Sequence, residues 1–249
     1  MVYILKVKLN GILELGPDEK YEDFQKKLIN WISSNGWEAE KVGGIKIPEQ
    51  SHMQIQAGSG TAIFDTNNND ENNKKSSSKR YFLSRTWDIN LPIMTAFMMN
   101  PSSADESCGD NTVNFMIKVA KYNNYGSLFV INTSPIIKGS KTTKKDFPDD
   151  SKNYEYIEYV VGNSEVVVLG WGENGQRYGI SGLQLQQSFK RLMHVNRQKF
   201  RVFGYSEMSG GRKYPNHPHP QVKSKQFAVD DELLVVTDER WVEIFGEIP

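Results

Sequence analysis

Residues 93–99, IMTAFMM, are apolar but for Thr95 and stop at Asn100-Pro101. A short continuous apolar run closed by a turn signal reads as a strand buried on both faces. Three more such runs follow: SLFVIN at 127–132, EVVVLG at 165–170 and FRVFG at 200–204. Their starts lie roughly 35 residues apart, the length of one strand plus one helix. Between them, Val113, Met116, Ile117 and Ala120 share a helical face, as do Ile157, Val160 and Val161, and then Leu185, Phe189, Leu192 and Met193. Continuous strands alternating with amphipathic helices predict a parallel sheet covered on both faces, an α/β fold.

Working outward, residues 2–9, VYILKVKL, alternate like a half-buried strand. Tyr21, Phe24, Leu28, Ile29 and Ile32 recur at helical spacing, and GWEAEKVGGIKIPE at 36–49 offers one or two short strands. Residues 1–50 are therefore expected to form a small β-α-β domain, with a larger domain over 51–249. Inside the larger domain, strand-like TAIF and RYFL flank a run of Asn, Asp, Lys and Ser. That run cannot bury apolar surface and is expected to be a mobile hairpin tip at about 66–79.

The 249 residues balance 30 basic against 30 acidic side chains and include a single cysteine, Cys108. One cysteine excludes an internal disulfide framework, and the charged N-terminus does not read as a signal peptide or a membrane span. A cytoplasmic protein with no membrane partner is expected. The charge is unevenly placed. Nine Lys or Arg residues lie between Lys190 and Lys225 against one acid, Glu207, whereas the chain beyond Asp230 is acidic. Arg191, Arg197, Arg201, Arg212 and Lys213 are the candidates for contacts to a nucleic-acid backbone. The alternative is a solvated face whose charge the acidic tail offsets.

Each apolar run is followed at once by unusual residues. NPSSAD (100–105) follows the first, NTSP (132–135) the second and GWGENGQ (170–176) the third; HPHP (217–220) comes after the fourth. In open α/β sheets ligands bind at the carboxyl ends of the strands, so these four segments should meet at one edge. Asn100, Pro101 and Ser102 suit a turn that starts a helix. Asp105 and Asp110 are solvated loop acids or, if turned inward, groups that orient a water. Asn132 is either a strand-end turn residue or, since its amide both donates and accepts, a reader of a planar base edge. Trp171, between Gly170 and Gly172, is either core filler or part of a close backbone approach to a ligand. His217 and His219 are held by Pro218 and Pro220. No Cys pair, H-E-x-x-H or acid cluster accompanies them, so neither a metal nor another cofactor is expected. A G-x-S-x-G elbow and a P-loop are likewise missing from the sequence.

In this order, NPSSAD, LFVIN, VVVLGWG and HPHP resemble the strand-end motifs of the uracil-DNA glycosylase superfamily: a water-positioning motif, a base-reading Asn, a strand ending in Trp-Gly and an H-P-S-P loop. More closely, RYFLSRTWDINLP, MMNPSSAD and DNT are similar to the bacterial and phage family called domain of unknown function 1643. The resemblance spans roughly residues 58 to 225. It implies a three-layer α/β/α domain around a four-stranded parallel sheet. Asn132 would read the Watson-Crick edge of a flipped pyrimidine. His217 would stabilise negative charge on the leaving base, as a fixed donor in a dry site does.

The resemblance also implies limits. Asn100 stands where the best-known glycosylases place the water-activating aspartate, and an asparagine can position a water but not deprotonate it. His219 replaces the serine of H-P-S-P, and Gln221-Val222 replaces the hydrophobic wedge. The expected function is therefore recognition of a base in DNA, or of a free base or nucleotide, with weak or no uracil excision. Two other readings stay open. One is an active glycosylase on a modified pyrimidine, serving defence against phage. The other is a non-enzymatic decoy or scaffold that binds a protein partner of true glycosylases, of the inhibitor type.

Overall fold

A computed structural model describes residues 21–34, 59–65, 78–102, 104, 110–138, 142–218 and 226–246. Backbone contacts divide the chain into two compact units, Met1–His52 and Met53–Pro249. In the first, one helix is described, α1 at Tyr21–Ser34, and the Ser34 hydroxyl donates back to the Trp31 carbonyl over 2.9 Å. The strands expected at 2–9 and 36–49 lie outside the described residues, as does most of the hairpin tip expected at 66–79.

The second unit is built on one sheet. Its strands are β1 (Ser59–Phe64), β2 (Arg80–Thr86), β3 (Ile93–Met98), β4 (Ser127–Asn132), β5 (Val166–Leu169), β6 (Phe200–Val202) and β9 (Leu234–Val235), in the order β1-β2-β4-β3-β5-β6-β9. A separate hairpin pairs β7 (Tyr205–Glu207) with β8 (Lys213–Pro215). The four apolar runs seen in the sequence are β4, β3, β5 and β6, and these are mutually parallel neighbours. The expected count of four is nevertheless too low, because β1 and β2 extend the sheet on one side and β9 on the other, all antiparallel. Ser84 and Arg85 interrupt the apolar run of β2, and β9 is two exposed residues long, so neither carries the continuous signal of a buried parallel strand.

Helices α2 (Asn111–Tyr122), α3 (Ser151–Asn163), α4 (Gln187–Val195) and α5 (Asp238–Phe245) cover the sheet. Asp110, Asp150 and Thr237 start α2, α3 and α5 by accepting backbone N–H groups from Val113, Asn153 and Arg240, which satisfies donors that a helix start leaves open. Val113, Met116, Val119 and Ala120 bring one face of α2 onto Met94, Ala96, Met98, Leu128, Val130, Val166 and Val168. Alternation along the strands sends the intervening residues to the opposite face. There Phe97 meets Trp171 edge-to-face at 5.2 Å, Trp171 meets Phe245 of α5 at 5.9 Å, and Phe200 meets Trp241 at 5.8 Å. Thr95 reaches Ser164 at the end of α3 through hydroxyls 2.6 Å apart. The expected face of α4 is right for Phe189, Leu192 and Met193, which are buried. Leu185 is not on it: it precedes the helix and is 85% exposed.

The chain after β5 coils through a helical turn (Gly172–Asn174), a π-helical turn (Gly175–Ile180) and another short turn (Ser181–Leu183). A buried polar relay ties this coil to the C-terminus. The Trp171 indole N–H donates to Gln176 Oε1 over 2.9 Å, and Gln176 Nε2 donates to the Ile244 carbonyl over 2.8 Å. Trp171→Phe removes the donor while leaving a buried acceptor, which costs roughly 1–3 kcal/mol. Urea unfolding of that variant should show the loss, with α5 detaching before the parallel strands in hydrogen exchange.

Candidate functional site

The site is defined by register. β3 pairs with β4 so that Met98 faces Asn132, and with β5 so that Phe97 faces Leu169. The connection from β3 runs to β4 on one side and that from β5 runs to β6 on the other, so the gap between the carboxyl ends of β3 and β5 is a topological switch point. The loops after β3 and β4 are laced across this edge by backbone bonds from Thr133 to Met98, from Ser134 to Met99 and from Lys138 to Pro101, at 2.9–3.0 Å. The Thr133 hydroxyl adds a bond to the Met99 carbonyl over 2.8 Å.

Asn100 is half-buried in this lacing. Its amide nitrogen donates to the carbonyls of Lys138 and Pro101, so it ties two loops together. Pro101 is buried, and the Ser102 hydroxyl donates to Asp110 Oδ2. The second oxygen of Asp110 accepts the Val113 N–H over 2.7 Å. One oxygen of Asp110 thus caps α2 and the other holds the loop after β3. Asp105 and His219 lie outside the described residues, as do Gln221 and Val222. The sequence reading did not single out Arg80, which is 2% exposed at the start of β2 and donates to the Ala104 carbonyl, holding the loop after β3 from the other side. A buried arginine at a strand start has no sequence signature distinct from a surface one.

Asn132 differs from all of these. It is 1% exposed, and neither its amide nitrogen nor its amide oxygen has a hydrogen-bond partner in the structure. Its backbone carbonyl is held by Asn153 Nδ2, 3.1 Å away in the first turn of α3. Asn153 is itself 3% exposed, with its Oδ1 left without a partner. Most buried polar side-chain atoms are bonded, so three open amide atoms on two adjoining residues are exceptional. Asn153 was missed because an Asn three residues into a helix reads as an ordinary surface position.

His217 is half-buried and reaches this edge by way of the β7–β8 hairpin. Asn216 N–H donates to the Gly204 carbonyl at the end of β6 over 2.9 Å, and the Ser206 hydroxyl donates to Asn216 Oδ1 over 2.6 Å. Pro218 then packs on Gly170 at the end of β5. A Cβ on Gly170 would lie 2.8 Å from Pro218 Cδ and 3.1 Å from Met98 Sδ, so only glycine admits the proline there. Pro218 therefore stands beside Met98, whose in-register neighbour is Asn132. The structure brings Asn100, Pro101, Ser102, Asn132, Gly172 and His217 to the same edge of the sheet. Trp171 points into the core beneath that edge.

Four of the five basic residues already have partners of their own. Arg191 is exposed on α4. Arg197 is paired with Asp238 and lies 5.7 Å over the Trp241 ring. Arg201 donates to the Gln198 and Phe200 carbonyls and borders a cavity of about 390 Å³ with Tyr125, Val166 and Leu233, at the opposite, amino edge of the strands. Arg212 donates to the Glu243 and Ile244 carbonyls that end α5, and burial holds its guanidinium below its ordinary pKa. Lys213 pairs with Glu207. Among the described residues no group of three His, Cys, Asp or Glu side chains is placed to hold a metal ion, and no helix is long and apolar enough to cross a membrane.

A mostly parallel α/β sheet with its polar residues at the strand ends is the class this geometry defines. Residues 80–219 match the family described as "Protein of unknown function (DUF1643)", and the chain belongs to it. The match runs from the first residue of β2 to His219, so it takes in the carboxyl ends of β3, β4, β5 and β6. None of the curated proteins compared with the chain matches it.

The assignment of Asp110 to a helix cap is open to direct test. Asp110→Ala should lower stability by about 1 kcal/mol, whereas Asp110→Asn, also a good cap, should stay close to the wild-type value. Thermal unfolding of the two variants side by side separates a capping role from a role that needs the carboxylate charge.

Proposed function

We propose that this protein recognises a nucleobase, in DNA or as a free base or nucleotide, at the strand-end edge carrying Asn132, and that it excises uracil weakly or not at all. The observation that carries this reading is the Asn132 side chain. A buried amide with both polar atoms unbonded costs roughly 1–3 kcal/mol per unsatisfied group. A ligand that offers one acceptor and one donor in a plane would satisfy both atoms at once, and the edge of a base has that pattern. The likeness to uracil-DNA glycosylases in motif order, and the four contiguous parallel strands that carry those motifs, support the same reading. So does the approach of the His217–Pro218 segment to Met98 and Gly170.

Weak or absent excision is supported by what the neighbouring groups already do. Hydrolysis of a glycosidic bond needs a water held in line with the sugar carbon and a group to take its proton. Asn100 directs its amide N–H to two backbone carbonyls, and Asp110 caps α2 and binds Ser102. Loss of a general base lowers rate by roughly 10² to 10⁴.

Asn132→Asp should weaken binding of the preferred base or nucleoside by about tenfold or more, since the carboxylate has no donor and repels a carbonyl oxygen. Unchanged affinity across a panel of pyrimidines and purines would reduce Asn132 to a turn residue. With protein in excess over single-stranded and U·G duplex oligonucleotides, abasic sites should not accumulate within minutes. Complete conversion that is abolished by His217→Ala would replace this reading with an active glycosylase.

A further inference from the structure

The next inference rests on the reading of Asn132 as the residue that meets a base, and it concerns where the rest of the strand is held. Four of the five cations that the sequence put forward are engaged by Asp238, by backbone carbonyls or by Glu207. The loop after β4 offers a different set. Lys144 and Lys145 open a 3₁₀ turn, Lys144–Asp146, and both are exposed. The acid beside them is already engaged. Asp146 accepts from Lys138 at 2.7 and 2.8 Å, from the Thr143 N–H at 2.7 Å and from the Thr143 hydroxyl at 3.0 Å. Lys138 and Thr143 hold the Asp146 carboxyl below the usual carboxylate range. The two other acids nearby are also engaged: Asp149 accepts from Gln186 over 3.0 Å, and Asp150 caps α3 and pairs with Lys79. The turn is fixed to the strand end, because the Ser134 hydroxyl donates to the Asp146 carbonyl.

Aromatic surface adjoins these lysines. Phe147 and Tyr178, both half-buried, have ring centroids 5.8 Å apart at 45°. Gly179 sets their place. A Cβ there would lie 2.5 Å from Thr133 Cβ and 3.1 Å from Phe147 Cδ1, so the ring pair is seated against the residue next to Asn132. On the first turn of α3, Lys152 lies 4.7 Å over the Tyr81 ring, and its neighbour Asn153 holds the Asn132 carbonyl.

We propose that Lys144, Lys145 and Lys152, together with the Phe147–Tyr178 ring pair, form the contact surface for a single strand of DNA that delivers its base to Asn132. Cations that track the phosphates beside aromatic rings on which bases stack are the shared chemistry of single-strand binding. Arg197, Arg201, Arg212 and Lys213, already engaged, are not part of that surface.

The test is fluorescence anisotropy with a labelled DNA single strand of about 12 nucleotides, within the span of such sites, titrated at several salt concentrations. The double variant Lys144→Glu/Lys145→Glu should bind about tenfold or more weakly. Its plot of log affinity against log salt should be shallower by about 1.4, two phosphate contacts at roughly 0.7 each. Arg191→Glu should bind like the wild type. Tyr178→Leu should lose several-fold in affinity while Tyr178→Phe keeps it, with both melting like the wild type, as a ring that stacks on a base requires. All variants are first checked for wild-type melting. The proposal is overturned if the folded double variant binds as tightly as the wild type, if Arg191→Glu causes the larger loss, or if only an RNA strand of the same sequence binds. A wild type that binds no strand also overturns it. Free-base binding that depends on Asn132 but is indifferent to Lys144 and Lys145 would then show that the base-reading site stands without this surface.

Discussion

Strand β3 is hydrogen-bonded to a parallel neighbour on each side, and everything at the carboxyl edge depends on that double pairing. Register with β4 places Asn132 opposite Met98, and register with β5 places Leu169 opposite Phe97. A slip of one residue in either ladder would exchange the faces of the sheet, driving Phe97 and Ile131 toward α2 and Met98 and Asn132 toward Trp171. Register is locked by the buried residues on both faces. Met94, Ala96, Phe97, Leu128, Ile131, Val167 and Val168 are all 4% exposed or less, and burying each large side chain contributes roughly 1.5–3 kcal/mol. The position of a polar edge is thus set by apolar packing some distance from it.

At that edge the polar residues divide into two kinds. Asn100, Ser102, Thr133, Ser134 and Asp110 bond to backbone or to one another and hold the loops in place. Asn132 and Asn153 are also deeply buried, yet keep amide atoms open. The first kind makes the second affordable, since laced loops cannot collapse onto the open amides and satisfy them. Pro218 on Gly170 adds to that rigidity from the β5 side. A site whose donors are fixed before the ligand arrives needs little reorganisation to bind it.

How much of this was legible in the sequence follows from which signals are local. The four parallel strands were readable because a strand buried on both faces must be apolar at every position, and 93–99, 127–132, 165–170 and 200–204 are nearly so. The antiparallel additions were not counted. β2 alternates only partly, and β9 owes its place to pairing with Arg201 and Val202 rather than to its own residues. Leu185 fits a helical period that the chain does not follow, because the coil between β5 and α4 ends only at Gln187. Among candidate site residues, Asn132 stood out as an amide at a strand end, and the structure gives it the burial that makes it consequential. Trp171 between glycines read equally well as core or as ligand contact, and the Gln176 relay assigns it to the core. Charge misled most. A run of basic residues in sequence says nothing about whether Asp238, Glu207 or a helix end waits to receive them, and α5 receives both Arg197 and Arg212.

The central claim is that the Asn132 amide is kept open for a ligand, and the most direct measurement watches that amide. In ¹⁵N-labelled protein the Asn132 side-chain NH₂ pair can be assigned by its disappearance in Asn132→Asp. It is then followed while free bases and nucleosides are added one at a time. The account predicts that one member of the panel shifts both proton resonances and slows their exchange with water, as an amide does when it gains an acceptor in a closed site. A side-chain NH₂ that stays unmoved through the whole panel, while another part of the protein responds to the same ligand, would contradict it.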